Sequence, residues 1–237
     1  MVYNSEHHKT KLTITLEDNM AMMRRYKDKH FDLAIVDPPY FDGPNTLGYY
    51  GASISSVGVV RDGYKKIGTW EIPGKEYFDE LRRVSKHQII WGCNYYAKHI
   101  ESVGRIVWDK VNGDSSFSDC EIASCSKHDS VRMFKYMWNG MMQGESILNG
   151  TKQQGNKKLN EKRIHPTQKP IALYKWLLDK YANPGDLILD THFGSGSIAI
   201  ACEDYGFDLT ACEINPDILN DALKRYDDYR KQQKLTF

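Results

Sequence analysis

The chain contains 237 residues, of which 41% are hydrophobic and 27% are charged, and its formal net charge is +1. This length is sufficient for one substantial α/β domain and argues against a second full domain. A balance so close to neutral neither requires nor excludes a nucleic-acid partner, so a binding face has to arise from a local cluster of charge.

The N-terminal sequence and the cysteines bear on location and on metal binding. Residues 1–11 are polar, without the apolar centre of a signal peptide, and no run of roughly 18 apolar residues occurs. We therefore expect a cytoplasmic protein. The cysteines are odd in number and lack paired metal-ligand spacing. Cys120, Cys125 and His128 stand close together, but without a second ligand pair they do not complete a tetrahedral site, and we expect no metal.

The first elements of the chain are a strand and a helix. Residues 11–16 alternate polar and apolar side chains, which indicates a strand, and a helix is predicted after it to about Tyr26. Asp18 lies between the two elements. It is either the N-cap of this helix or a carboxylate that faces the ligand-binding edge of the sheet.

The apolar run Phe31–Val36 ends at the motif Asp37-Pro38-Pro39-Tyr40. Branched residues followed by two prolines are typical of a buried parallel strand that stops at its carboxyl end, where open α/β sheets bind ligands. The motif suits the activation of an exocyclic amine on a base. The Asp37 carboxylate and the Pro38 carbonyl can accept the two amine hydrogens, and the Tyr40 ring can stack on the base. An ordinary surface turn is the alternative, because Asp and Pro are common turn residues.

The middle of the chain begins with a long irregular stretch. Residues 41–73 are rich in glycine and show no sustained period, so we predict a lid or a substrate contact, with a solvated loop as the alternative. From residue 74 the α/β pattern resumes, with helices at 76–85 and 95–100 and strands at 88–91 and 105–108. The strand-like runs 121–126 and 130–137 are separated by a short turn, which predicts an antiparallel hairpin at the edge of the sheet.

Residues 139–165 form a second irregular segment, and its charge is lopsided. Glu161 is the one acid between residues 151 and 169. The basic side chains singled out here are Lys152, Lys157, Lys158, Lys162 and Arg163. A basic segment beside a base-sized cleft favours phosphate contacts, although a run of charge is often only a solvated surface.

The last third of the chain has the pattern of a nucleotide cradle. A helix is predicted at 169–181, a buried strand at 187–190, a glycine-containing loop at 191–197 and a helix at 198–205. The next strand, 209–212, ends in Glu213, which follows Gly196 by 17 residues and can bond ribose hydroxyls. Ala199 stands where a third glycine would fall, which favours an adenosine-type cofactor without a pyrophosphate over NAD. A polar helix over 216–231 closes the pattern.

Three segments together resemble the amino-group DNA methyltransferases that use S-adenosylmethionine, in the permuted β-class motif order. Asp37-Pro38-Pro39-Tyr40 matches the catalytic signature, and its initial Asp is typical of the adenine N6 enzymes. His165-Pro166-Thr167-Gln168-Lys169-Pro170 matches the motif that precedes the cofactor half. Residues 190–196 resemble the loop Asp-Pro-Phe-x-Gly-Ser-Gly, with Thr191 and His192 in place of Pro and Phe. The resemblance extends from about residue 12 to residue 226.

The resemblance implies a single Rossmann-like class I methyltransferase domain over residues 1–237. Its sheet would be doubly wound, seven-stranded and mostly parallel, with a circularly permuted motif order. The implied catalytic residues are Asp37, Pro38, Pro39 and Tyr40. The implied contacts to S-adenosylmethionine are Asp18, Thr167, Gln168, Lys169, Pro170, Asp190, His192, Phe193, Gly194, Ser195, Gly196 and Glu213. From the local charge, our candidate DNA contacts are the loop 41–73 and the basic residues Lys152, Lys157, Lys158, Lys162 and Arg163. Residues 139–165 are then a short target-recognition segment.

The implied reaction is direct transfer of a methyl group to N6 of a flipped adenine in double-stranded DNA. Transfer to N4 of cytosine, or to adenine in RNA, remains an alternative. A non-catalytic subunit of the same fold would be expected to carry a damaged pocket, and a nicotinamide oxidoreductase would have no use for Asp-Pro-Pro-Tyr. A homodimer and a companion restriction endonuclease are both left open, as is the recognition sequence.

Overall fold

The computed structural model describes residues 1–7, 10–40, 53–54, 60–61, 71–112, 118–139, 142–144, 160–165 and 167–233. Within these ranges the chain alternates between strands and helices. The strands are β1 (Val2–His7), β2 (Thr10–Leu16), β3 (Phe31–Val36), β4 (Ser53–Ile54), β5 (Val60–Arg61), β6 (Ser85–Trp91), β7 (Gly104–Asp109), β8 (Cys120–Cys125), β9 (Val131–Lys135), β10 (Met137–Asn139), β11 (Met142–Gly144), β12 (Leu187–Asp190) and β13 (Asp208–Glu213). The helices are α1 (Asn19–Met23), α2 (Lys75–Val84), α3 (Ile171–Tyr181), α4 (Ser197–Tyr205) and α5 (Pro216–Gln233), with a 3₁₀ turn at Ala97–His99.

Nine of the described strands form one mixed sheet, in the order β1-β2-β13-β12-β3-β6-β8-β7-β9. The central strands β2, β13, β12, β3 and β6 run parallel to one another. Two small antiparallel pairs, β4 with β5 and β10 with β11, stand apart from this sheet. The carboxyl ends of the five parallel strands therefore lie along one edge of the sheet, where ligand sites of doubly wound folds form.

Both faces of the sheet are covered by helices. Leu33 and Ile35 of β3 join one core, to which α3, α4 and α5 contribute their apolar residues. Ala34 and Val36 of the same strand join a second core, together with α1 and α2. Because successive side chains of a strand point to opposite faces, this division places β3 between two layers of helices. Burial on both faces explains why β3 is apolar along most of its length instead of alternating.

The expected fold class is confirmed, with a mostly parallel, doubly wound sheet and an antiparallel hairpin at one edge. Two details were wrong. The sheet has nine strands instead of seven, and the edge hairpin consists of β1 and β2, not of residues 121–126 and 130–137. β7 lies between β8 and β9, antiparallel to the first and parallel to the second. β8 and β9 are joined by a short turn but do not pair with each other, because β7 pairs with both and lies between them.

No helix of the described chain is long and apolar enough to cross a membrane. In the same residues, no three His, Cys, Asp or Glu side chains come together as a group that could hold a metal ion. Cys120 is half-buried, whereas Cys93, Cys125, Cys202 and Cys212 are buried as free thiols.

Candidate active site

Two of the sequence motifs lie at the ends of neighbouring strands. β3 and β12 are paired in parallel, with Leu33 opposite Ile188 and Ala34 opposite Leu189. Asp37 follows the end of β3 directly, and Asp190 is the last residue of β12. The catalytic signature and the glycine-containing loop therefore share one edge of the sheet, as the order of the motifs predicted.

Asp37 has two oxygen atoms in different situations. Oδ2 lies 2.5 Å from the ammonium Nζ of Lys169, whose side chain is only 3% exposed. Oδ1 is buried and has no hydrogen-bond partner among the described residues. Burial raises the pKa of Asp37, and the positive charge of Lys169 opposes that rise. One oxygen is thus fixed by an ion pair while the other is an unused acceptor.

The ammonium of Lys169 is shared between two carboxylates. It lies 2.8 Å from Glu121 Oε2 as well as next to Asp37, and it sits 5.4 Å from the centre of the Trp91 ring. Lys110 lies 2.5 Å from the other oxygen of Glu121. Burial alone would raise the pKa of Glu121, but the two ammonium groups outweigh it and bring that pKa to about 2. Burial would likewise lower the pKa of Lys169, and the two carboxylates reverse that effect and raise it.

The prolines and Tyr40 are held by the segment that follows β6. The Tyr96 hydroxyl is 3.2 Å from the Pro38 carbonyl oxygen, to which it donates, and it also contacts the Pro39 carbonyl. The Tyr40 ring stacks on Tyr95, with ring centres 4.8 Å apart and an angle of 17° between planes. Gly92 has φ +68° and lies against the Tyr40 ring, so a Cβ at residue 92 would overlap that ring. The ring and the carbonyl expected to contact a base are therefore both positioned by one short segment.

The glycine loop after β12 depends on backbone conformation. Gly194 and Gly196 have φ values of +53° and +72°, a region that residues with a Cβ rarely occupy. The Gly194 amide donates to Glu213 Oε2 at 3.0 Å, and the Asn215 amide donates to Oε1 at 2.9 Å. Asp190 Oδ1 accepts from the His192 amide at 2.9 Å, and burial raises the pKa of Asp190 to about 8. Acids at the ends of two strands thus shape the loop through its amides.

His192 and Phe193 occupy different environments. Phe193 is buried in the core, and a Cβ on Gly196 would lie 3.1 Å from its ring. His192 is half-buried, 2.9 Å from Thr191 Oγ1 and 3.1 Å from Asn19 Nδ2. Burial lowers the pKa of His192 to about 4, so the imidazole is neutral at pH 7. Of these two aromatic residues, His192 is the one left at the edge of the sheet.

The segment that resembles the third motif connects the loop to the catalytic signature; its Pro166 lies outside the described residues. The Lys169 carbonyl accepts from Ser197 Oγ at 2.8 Å, at the start of α4, while its ammonium reaches Asp37. Gln168 is buried and bonds Glu161 Oε1 and the Ile164 amide through its side chain. Thr167 is exposed and bonds His165, and Pro170 is the buried N-cap residue of α3.

The remaining expected cofactor contacts are placed as follows. Asp18 is exposed and caps α1, since its Oδ1 accepts from the Ala21 amide at 2.9 Å. Asp18 is therefore the N-cap of α1, and its contact with a cofactor stays a prediction. The Ser195 carbonyl accepts from Arg225 Nη1 at 2.6 Å, and Arg225 also pairs with Glu161.

The expected DNA contacts lie mostly in parts of the chain that are not described. Lys152, Lys157 and Lys158 fall outside the described residues, as does most of the loop 41–73. Lys162 is exposed. Arg163 packs on Trp138, with its guanidinium carbon 4.5 Å from the ring centre and Nη2 donating to the Trp138 carbonyl at 2.6 Å.

Sequence reasoning missed several residues that surround Asp37. Glu121 and Lys110 carried no motif, and Tyr96 was noted only as part of a short helix. Glu121 was an acid inside an otherwise uncharged strand, and that unusual position was the available signal. Tyr96 follows β6 closely, so its place at the ligand-binding edge was a second signal.

The fold and the site define an α/β protein that places a glycine-containing cradle beside a pocket with a free carboxylate oxygen. A family model described as DNA methylase, for N6 and N4 methyltransferases, matches residues 90–224, more than half of the chain. The chain therefore belongs to this DNA methylase family. The matched range begins after Asp37-Pro38-Pro39-Tyr40, which precedes the cofactor half in this chain.

Individual relatives agree with this family. The chain is 27% identical to the DNA adenine methyltransferase YhdJ of Escherichia coli (strain K12), over 91% of this chain and 82% of that protein. A local match to the type II methyltransferase M1.MboII of Moraxella bovis is 33% identical and spans 35% of this chain and 33% of that relative's length.

Solved structures support the fold. The complex of M1.HpyAVI with SAM matches with a TM-score of 0.52 at 19% identity, over 90% of this chain and 99% of that chain. The cytosine-N4-specific PvuII DNA methyltransferase matches with a TM-score of 0.53 at 13% identity, over 93% of this chain and 92% of that chain.

Proposed function

We propose that this protein transfers a methyl group from S-adenosylmethionine to the exocyclic N6 of adenine in DNA. The observation that carries the proposal is the state of Asp37, whose Oδ2 is fixed by Lys169 while its buried Oδ1 has no partner in the described chain. A buried acceptor without a donor costs free energy, which a substrate N–H placed there would offset. An exocyclic amine supplies such a donor.

The residues around the glycine loop suit an adenosine-type cofactor. Gly194 and Gly196 have no side chains, so a ligand can come close to the backbone of the loop. Glu213 is held at the end of β13 by the Gly194 amide, and its oxygens keep lone pairs that can accept from ribose hydroxyls. Asp190 and His192 are both neutral near pH 7 because of their pKa values. When bound, S-adenosylmethionine would supply a methyl group on a positively charged sulfur, and its carbon–sulfur bond would break as the amine takes that methyl.

The chain's own residues then act on the amine. Asp37 Oδ1 and the Pro38 carbonyl accept its two N–H groups, which turns the nitrogen lone pair away from the base ring. The tyrosine pair Tyr40 and Tyr95 offers an aromatic surface for the base. After transfer the nitrogen carries one proton in excess, and Asp37 is the nearest base that can take it. No covalent intermediate with the protein is required.

Adenine is preferred over cytosine as the acceptor for two reasons. The signature begins with Asp, the form that the resemblance associates with adenine N6 enzymes, and the relative YhdJ is named as an adenine methyltransferase. Transfer to N4 of cytosine is the second candidate, because the cytosine-N4-specific PvuII enzyme shares the fold. The amine chemistry at Asp37 would be the same for either base.

DNA binding is part of the proposal. A base has to leave the duplex to reach Asp37, which costs a few kcal/mol that phosphate contacts must offset. The exposed Lys162 belongs to the basic segment that leads to Lys169, and it supports phosphate contacts on this side of the pocket. Lys152, Lys157, Lys158, Arg163 and the loop 41–73 are the further proposed contacts.

The test is transfer of labelled methyl from S-adenosylmethionine to unmethylated genomic DNA, followed by nucleoside analysis. We expect the label in N6-methyladenine with the wild type and none with Asp37→Ala. Label in N4-methylcytosine would keep the reaction and overturn the choice of base. Label in RNA alone, or no transfer by folded protein that binds the cofactor, would contradict the proposed substrate.

A further inference from the structure

Two charged side chains beside Asp37 have no part in the proposed function as stated so far. Glu121 is the second residue of β8, and Lys110 directly follows β7. β8 runs antiparallel to β6, so its beginning lies at the edge where the parallel strands end. β7 pairs with β8 such that Trp108 stands opposite Glu121. The antiparallel part of the sheet thereby delivers a carboxylate and an ammonium to the ligand-binding edge.

These side chains continue the ion pair of Asp37 into a row of alternating charge. From the pocket outward the order is Asp37, Lys169, Glu121 and Lys110, with contacts of 2.5 Å, 2.8 Å and 2.5 Å. The side-chain exposures are 20%, 3%, 19% and 18% in the same order. Each interior member touches a neighbour of opposite sign on both sides.

We propose that Glu121 and Lys110 are positioning residues for methyl transfer, in which Glu121 holds the Lys169 ammonium against Asp37 Oδ2 and Lys110 holds Glu121. This inference rests on the proposed function of Asp37. Its effect is that Lys169 stays on Oδ2, so that Asp37 keeps Oδ1 directed to the substrate amine. Neither residue touches the substrate.

The row also explains why one lysine alone would be insufficient. A long, flexible side chain such as Lys169 loses rotamer entropy when it is fixed, and a single contact to Asp37 leaves its donors free to turn elsewhere. Glu121 supplies a second anchor 2.8 Å from the same nitrogen. The Trp91 ring, 5.4 Å away, supplies a third contact.

A purely structural ion cluster is the competing explanation. Burying four charges costs more desolvation than apolar residues of similar size would, so such a cluster is a weak device for stability alone. Both explanations predict that removing a member destabilises the protein. They differ in whether Lys169 stays on Asp37 when Glu121 is removed.

That difference can be measured because removing Glu121 while Lys169 stays in place would lower the pKa of Asp37, whereas releasing Lys169 from Asp37 would raise it. The negative charge of Glu121 raises the pKa of Asp37, whereas the positive charge of Lys110 lowers it. Among the described residues, further groups that interact electrostatically with Asp37 include Tyr40, Tyr96, Tyr174 and Asp190. These groups are unchanged in the two variants and contribute the same background to both.

The experiment records the pH dependence of single-turnover methyl transfer at saturating cofactor and DNA. Glu121→Gln is expected to slow transfer by about 10- to 100-fold through misplacement of Lys169, and to move the acid limb to higher pH because the ammonium then no longer lowers the pKa of Asp37. Lys110→Met is expected to move the acid limb to higher pH. Glu203→Gln serves as the matched control, because Glu203 is a buried carboxylate on α4 that bonds Tyr226 and belongs to no part of this row.

Slower transfer by Glu121→Gln, with the acid limb at higher pH in both variants, would support the proposal. A Glu121→Gln limb at lower pH, no shift, or a rate equal to that of the wild type would overturn it. If the wild type methylates no nucleic acid, the proposed function fails by itself. The shifts can then be read from the Asp37 carboxyl signal in ¹³C NMR titrations, with Asp37→Asn used to assign that signal, and equal titration in all variants would overturn the inference.

Discussion

The catalytic pocket and the glycine loop lie at the ends of neighbouring strands, but different interactions hold them in shape. In the pocket, the buried Lys169 forms ion pairs with the half-buried carboxylates of Asp37 and Glu121. In the loop, positive φ values at Gly194 and Gly196 determine the path of the chain. The pocket depends on charge and the loop on the lack of side chains, so the two are sensitive to opposite kinds of substitution.

The protonation states follow the same division. Burial raises the pKa of Asp190 to about 8 and lowers the pKa of His192 to about 4, so these two residues of the loop are neutral at pH 7. In the pocket, the pKa of Glu121 is about 2, which keeps its carboxylate ionised. Two neutral side chains at the loop, beside an ionised Glu121 in the pocket, suit a reaction in which the acceptor amine becomes positively charged only next to Asp37.

The largest effect is expected from Lys169→Met, which tests the charge side of this comparison. It leaves the half-buried carboxylates of Asp37 and Glu121 without the buried cation that they share, so we expect the free energy of unfolding to fall by about 3–5 kcal/mol. Denaturant titration measures this change. Lys169→Arg retains the charge and serves as the control. A loss below about 1 kcal/mol for Lys169→Met would show that the cluster is effectively solvated.

A smaller effect is expected from Gly196→Ala, which tests the conformational side. The αL backbone costs a residue with a Cβ about 1–2 kcal/mol, and the added methyl would lie 3.1 Å from the Phe193 ring. Gly206→Ala is the matched control, because Gly206 has φ +76° with no atom within 4 Å of its Cβ position. We expect both variants to lose stability but only Gly196→Ala to weaken S-adenosylmethionine binding in equilibrium dialysis. Equal cofactor affinity in the two variants would remove Gly196 from the cradle.

The smallest effect is expected from His192→Phe, which restores the residue of the related motif. The pKa of His192 is about 4 in the folded protein and 6.5 ordinarily, so its neutral form contributes stability above pH 6.5. That contribution is lost as the pH falls from 6.5 toward 4, because only the unfolded chain binds the proton there. Because the His192 side chain is half-buried, we expect His192→Phe to lose about 1 kcal/mol less stability than the wild type over this pH range.

Chemical denaturation of the wild type and His192→Phe at pH 7.0 and at pH 4.5 measures the difference. The stability of the variant should vary less between the two pH values than that of the wild type. Identical pH dependence in the two proteins would mean that His192 titrates normally in the folded state.

The parts of the site that sequence could predict are those with local signals. The strand Leu187–Asp190 and the glycines after it can be recognised within about ten residues of sequence, because strand ends and positive φ values have characteristic residues. The motif at Asp37 likewise combines an apolar run with two prolines. The order of these segments was enough to predict the doubly wound fold and the edge on which both motifs lie.

Contacts between distant segments could not be predicted in this way. Lys169 and Asp37 are 132 residues apart, and no periodicity links them. The expected role of Lys169 at the cofactor came from its motif, whereas its ammonium lies on Asp37. The place of β7 between β8 and β9 was missed for a related reason, since a turn between two strands does not specify which strand edges pair. Residues 2–7 are too polar to be recognised as the strand that they form on the edge of the sheet.

The most direct test of the account compares Asp37→Asn with Asp32→Asn. Both residues belong to or follow β3, but Asp32 lies at its other end, where it pairs with Lys86 and accepts from the Leu187 amide. Single-turnover methyl transfer and the Kd for S-adenosylmethionine are measured for both variants and the wild type.

The account predicts that Asp37→Asn slows transfer by about 100- to 1000-fold and leaves the Kd for the cofactor within about twofold of the wild type. Asp32→Asn should transfer methyl at the wild-type rate. Transfer by Asp37→Asn at the wild-type rate, or a loss explained entirely by weaker cofactor binding, would contradict the assignment of Asp37 as the acceptor of the substrate amine.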